Sequence, residues 1–173
     1  MAACIKITVL FLLTQTTLFA QPAKCPKLPE SYEWKNARDY KRDEELVVRT
    51  LHWLNNSPLN NEIEIRGKAS LYVMEWICGS PRIEIVINSD VLPFYIDYPD
   101  LLFPYIQGFA ECKLSKNGNC TELQAMIDGF SIVAFMIQSD AELRKVKALQ
   151  PISKAYKKGK MQSYVESLAD KKL

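Results

Sequence analysis

Apolar residues recur along most of this chain at three- and four-residue intervals, and one stretch departs from that rhythm. Asp43, Glu44 and Glu45 place negative charge on a first helical turn, and Leu46, Val47, Thr50, Leu51 and Leu54 follow with helical spacing. Asn55-Asn56-Ser57-Pro58 ends that helix, because a proline excludes helical geometry from the residue before it. A second helix is expected over about 64–78, with Leu71, Tyr72, Trp76 and Ile77 as its stripe. Gly79 is its expected left-handed C-terminal residue, and Ser80-Pro81 its stop. The exception is 82–88, β-branched and loosely alternating, which is the chemistry of a strand. A lone strand leaves its backbone unpaired. It needs the short Ile63-Glu64-Ile65 stretch beside it, or it lies as extended chain over the helices.

Pro99 opens a third apolar helix to about 114, in which Pro104 marks a kink or the true start. The strongest pattern covers 121–138, where Leu123, Met126, Ile127, Phe130, Val133, Ala134 and Ile137 form a wide core-facing stripe. Ser139-Asp140-Ala141-Glu142 reads as a capping box for a helix through Leu143, Val146 and Leu149. Pro151 interrupts it, and short amphipathic pieces cover 152–158 and 160–168. The expected fold is mainly α: a single-domain helical bundle of about six helices with at most one short strand pair, disulfide-linked. Gly108 and Gly129 lie inside two of the apolar helices, each costing about 1 kcal/mol relative to Ala. They imply either close approach of helix backbones or room for a ligand.

The first forty residues read differently. Lys6 precedes a mostly apolar run, and Ala20 before Gln21 is a cleavage boundary, so residues 1–20 are expected to be a signal peptide. Residues 21–40 carry Pro22, Pro26 and Pro29 without apolar period, an extended N-terminal arm that docks through Tyr32 and Trp34. Residues 41–173 are then the helical domain. The remaining chain has no segment of transmembrane length, so it is expected to be secreted or periplasmic, with no integral membrane segment.

That export changes the meaning of the cysteines. Removing the leader removes Cys4, and the four left read as two disulfides. Cys112 and Cys120 flank the turn Lys116-Asn117-Gly118 and are expected to pair, leaving Cys25 to pin the arm to Cys78. No C-x-x-C spacing supports a thiolate metal site, and no cofactor is implied.

Trp53-Leu54-Asn55-Asn56-Ser57-Pro58 and Trp76-Ile77-Cys78-Gly79-Ser80-Pro81 echo one another, which suggests two helices that terminate alike and pack side by side. The second of these, with Met74-Glu75 before it and Ile83, Ile85 and Ile87 after it, is similar to segments of uncharacterised small secreted or periplasmic helical proteins of Bacteroidetes-type bacteria. Tyr98-Pro99-Asp100-Leu101-Leu102 and Gly108-Phe109 extend the likeness over about 46–115. The resemblance implies an exported helical protein and carries over no catalytic residue.

Chemistry is sparse. His52 is the only histidine, so any histidine-dependent catalysis must use it. The echo sets His52 and Glu75 in equivalent positions, where a carboxylate would meet the imidazole if the helices lie side by side. Asp97 and Asp100 flank a helix start, where capping explains them. No nucleotide-binding glycine motif is present. Charge is more telling: residues 140–173 hold nine basic and four acidic side chains, and Lys154, Lys157, Lys158 and Lys160 cluster near Tyr156 and Tyr164. That cluster is a surface for an anionic partner, or a solvated face complementing the protein's own acidic body. A net charge of +2 does not favour nucleic acid.

The reading that follows is a non-enzymatic interaction module with a protein or envelope partner, its oligomeric state left open. The alternative is a carrier of small hydrophobic ligands, with a cavity lined by Phe103, Phe109, Met126, Phe130 and Met136. A hydrolase using carboxylates or His52 is a distant third.

Overall fold

The computed structural model describes residues 24–87, 91–115 and 119–169. The leader, residues 21–23 and the turn at 116–118 lie outside the described residues. Six α-helices are found among those described: α1 (Ala37–Asn55), α2 (Ile63–Gly79), α3 (Leu102–Ser115), α4 (Glu122–Ser139), α5 (Gln150–Lys157) and α6 (Met161–Ala169). No residue described is in a strand. The class is mainly α.

Most boundaries follow local chemistry. The Asn36 side chain caps α1 by accepting from the N–H groups of Arg38 and Asp39. The helix therefore starts six residues before Asp43, and the arm ends at 36, not 40. Thr121 caps α4 through the Gln124 N–H. Pro104 sits in the first turn of α3, where its missing N–H is no loss, after a short 3-10 turn at Pro99–Leu101.

One open alternative is decided and three local expectations are corrected. Residues 83–87 form no ladder, and Ile63–Ile65 begin α2 instead of pairing with them. Ile83 and Ile85 pack partly on the core while Val86 is exposed, so this is chain laid over the helices. Gly79 is the last residue of α2, and the only glycine with positive φ among those described is Gly159. What Gly79 supplies is space, since a Cβ there would collide with the Tyr40 hydroxyl. Asp140, not Ser139, does the capping after α4: its Oδ1 accepts from Glu142 N at 2.7 Å and Leu143 N at 3.0 Å. Only 3-10 turns follow, at Leu143–Lys145 and Lys147–Leu149, and α5 begins at Gln150 with Pro151 in its first turn.

Two antiparallel hairpins make the frame. In the first, α1 packs on α2, and both echoed tryptophans are buried. The arm lies against this hairpin: Tyr32 stacks on Trp34 at 4.7 Å and meets the Tyr72 ring edge-on at 4.9 Å, while Tyr40 packs on Trp76 at 5.8 Å. Trp34 Nε1 donates to Asp43 at 2.8 Å, so the arm docks through its aromatics as expected.

In the second hairpin, α3 and α4 come closer than ordinary side chains allow. A Cβ on Gly108 would lie 2.9 Å from the Asp128 carbonyl oxygen, and one on Gly129 at 2.8 Å from the Tyr105 ring. The two glycines serve backbone approach, not ligand space. A disulfide joins Cys112 to Cys120 at the turn end of this hairpin, with Cα atoms 5.8 Å apart. Cys25 and Cys78 are both free, which corrects the second expected pair. Cys25 lies beside Glu62, Ile65 and Lys68 at the start of α2. Cys78 lies at the other end of that helix, about 20 Å away at 1.5 Å per residue.

Candidate functional site

Among the described residues, four of the five expected to line a carrier cavity pack into the core or against it. Phe109, Phe130 and Met136 are essentially fully buried within one continuous cluster, where Phe130 meets Phe94, Tyr105 and Tyr164 edge-on. Met126 is partly buried against the same cluster. Phe103 alone of the five faces outward, 49% exposed. Four of the five share that cluster, and Phe103 stands apart from it.

Phe103 instead marks an open groove of about 420 Å³ between α2 and α3. Its apolar walls come from Leu59, Ile63, Leu71, Met74, Phe103 and Pro104. Ile63, Leu71 and Phe103 are 72%, 57% and 49% exposed, three large hydrophobic side chains around one depression. Singly exposed hydrophobics are ordinary; a converging set is informative.

The polar residues lining this groove are unusual. Arg66 is only 6% exposed, and it stands in α2 on the same helical face as Ala69, Val73 and Trp76. One guanidinium nitrogen, Nη1, donates to the carbonyls of Leu54 at 2.9 Å and Ser57 at 2.8 Å, closing the C-terminal end of α1. The other, Nη2, contacts the Met136 sulfur at 3.9 Å. No carboxylate among the described residues lies within ion-pair distance of Arg66. Burial pulls its pKa below the ordinary value. Beside it, Gln107 is 1% exposed; its Nε2 donates to Ser70 Oγ at 3.2 Å, and its Oε1 has no partner. Asp100 stands exposed on the rim.

The expected His52–Glu75 pair does not form. His52 Nδ1 pairs with Glu111 Oε1 of α3 at 2.9 Å, and Glu111 Oε2 accepts from Asn55 Nδ2 at 2.6 Å. Burial, and then the nearby Glu75 carboxylate, push the Tyr32 phenol up to about 12. The echo placed two residues at equivalent heights on their helices but did not fix which way each helix turns its face. No serine or cysteine among the described residues hydrogen-bonds His52, so the His52–Glu111–Asn55 set ties α1 to α3 and lacks a nucleophile.

Asp97 and Asp100 do share a groove, with Asp140 and Glu142 on its far side. No three carboxylate, thiol or imidazole groups among the described residues converge on a metal position. Lys154, Lys157, Lys158 and Lys160 are exposed around the end of α5, and no ion pair among the described residues engages them. They are open to solvent. Tyr156 is 41% exposed beside them, whereas Tyr164 turns inward onto Phe130.

No helix among the described residues is long and apolar enough to cross a membrane. No family model, no curated protein and no solved structure matches the chain.

Proposed function

We propose that this protein is an exported, non-enzymatic binding module that takes an apolar target into the groove between α2 and α3. The observation that carries the reading is the convergence of exposed Ile63, Leu71 and Phe103 around one depression, against a core that is otherwise filled. Covering what remains exposed of Leu71 and Phe103 would contribute of order 1 kcal/mol each. The Cys112–Cys120 disulfide and the apolar leader support an oxidising compartment outside the cytoplasm. Catalysis is not favoured, because the one imidazole is committed to a carboxylate that itself braces two helices.

The test uses a neutral fluorescent probe, N-phenyl-1-naphthylamine. Wild-type protein is expected to enhance its emission, and Phe103→Asp and Leu71→Asp to abolish the enhancement with folding unchanged. Tyr156→Asp, an exposed aromatic elsewhere, is expected to leave it intact. Equal enhancement by wild type and Phe103→Asp would remove the groove from the account.

A further inference from the structure

Burying a guanidinium without a counter-charge is costly, because the low-polarity surroundings strengthen its field while removing the water that would answer it. Arg66 is in that position. Two main-chain carbonyls satisfy Nη1, and Nη2 touches only a thioether. Arg66 is one of the residues that line the apolar groove, while its guanidinium is held against the buried Leu54, Ser57 and Met136. Gln107 and Ser70 line the same groove, so neutral hydrogen-bonding groups lie beside the charge. The one carboxylate in the lining, Asp100, is exposed on the rim, where water screens it.

From this charge pattern we propose that the α2–α3 groove binds a monomeric aliphatic carboxylate, its chain on Leu71, Met74 and Phe103 and its head group directed to Arg66. The inference rests on the groove being the binding face. Direction follows from exposure among the lining residues: Ile63, Leu71 and Phe103 are open to solvent, and Arg66 is buried. A head group must leave bulk water to reach Arg66, which is only 6% exposed. A free molecule can do that, whereas a lipid held in a bilayer keeps its head group at the membrane surface. The volume of about 420 Å³ lies within the range of small-molecule sites. A charge-assisted hydrogen bond is about twice as strong as a neutral one, so the charge on the head group should dominate selectivity within a series of equal chain length.

The experiment compares decanoate, decan-1-ol and decylammonium, each titrated into ¹⁵N-labelled protein below its aggregation threshold. Decanoate is expected to bind at least tenfold more tightly than the alcohol, and the amine more weakly still. Amide shifts are expected to concentrate in 59–74 and 100–107. Phe103→Asp should weaken decanoate at least tenfold, and Asp100→Asn should strengthen it slightly. Arg66 also closes α1, so Arg66→Met is scored only after circular dichroism shows native helix content; where it folds, the acid's advantage over the alcohol should vanish. Equal binding of all three at this groove overturns the carboxylate assignment and leaves the groove standing. Shifts elsewhere, or none, overturn the groove itself. Sedimentation with phosphatidylglycerol vesicles but no response to free decanoate overturns the choice of a monomeric ligand.

Discussion

The two helical hairpins are held by opposite means. In α3–α4, the helices meet backbone to backbone at Gly108 and Gly129, and a disulfide ties the turn end. In α1–α2, the join at the turn end is polar: Arg66 reaches back from α2 to the carbonyls that α1 leaves open. At the opposite end, Tyr40 occupies the space that Gly79 leaves. The first arrangement is close-packed along the Gly108–Gly129 contact, with an open depression of about 330 Å³ beside it lined by Gly108, Glu111, Asp128 and Ile132. The second keeps a charge buried and leaves one side of α2 unfilled against α3. The proposed binding surface is thus the one where packing is traded for polar contact.

Adding one methyl group to each hairpin should separate them most. Gly129→Ala puts a Cβ 2.9 Å from the Tyr105 carbonyl oxygen, and backbone there cannot yield cheaply. A net loss of about 2 kcal/mol is expected, after the helix-propensity gain of Ala. Gly67→Ala on α2 meets nothing within 4 Å and should gain about 0.5–1 kcal/mol. Urea titrations of both variants test the pair, and equal signs would contradict the contrast.

The covalent tie comes next. Replacing Cys112 and Cys120 together by Ala should cost about 2–3 kcal/mol, as expected for a short closed loop. Thermal melts with and without reductant should show the same loss in wild type and none in the double variant. A wild-type melt indifferent to reductant would argue against a disulfide-bound α3–α4 turn.

The smallest effect is electrostatic and belongs to the first hairpin. The Arg42 guanidinium, and the Trp34 indole N–H besides, hold Asp43 below its ordinary value of 3.8, against burial that pushes it up. A carboxyl lowered in the folded state contributes stability that is complete above its unfolded pKa and lost as pH falls through the folded one. Acid should therefore loosen the arm below about pH 3.8, by under about 1 kcal/mol. Asp43→Asn should flatten that slope in tryptophan fluorescence against pH; an unchanged slope would place the acid sensitivity elsewhere.

Helices, their order and the α3–α4 contact were legible because each rests on local chemistry: apolar period, prolines near helix starts, glycines within apolar runs. The Cys112–Cys120 pair was legible because the turn-forming sequence Lys116-Asn117-Gly118 lies between its members. The groove was not. Phe103 lies six residues before Phe109, about 120° around the helix, but the nearly continuous apolar run of α3 hides which of the two faces the core. Arg66 carried a usable signal, since it falls three, seven and ten residues before Ala69, Val73 and Trp76 and so puts a charge on the buried face of α2. Gln107 and Glu111 had no such mark, because their roles depend on which neighbour α3 meets. Leu92 and Phe94 likewise join the core from an irregular segment that no periodicity could reveal.

Hydrogen exchange followed by mass spectrometry, with and without decanoate, tests the central claim most directly. The α3–α4 seam around Gly108 and Gly129 should exchange slowly in both conditions. Amides of 63–74 on α2 should slow several-fold only when decanoate is present. Uniform slowing across both hairpins, or no change on α2, would contradict the assignment of the α2–α3 groove as the binding face.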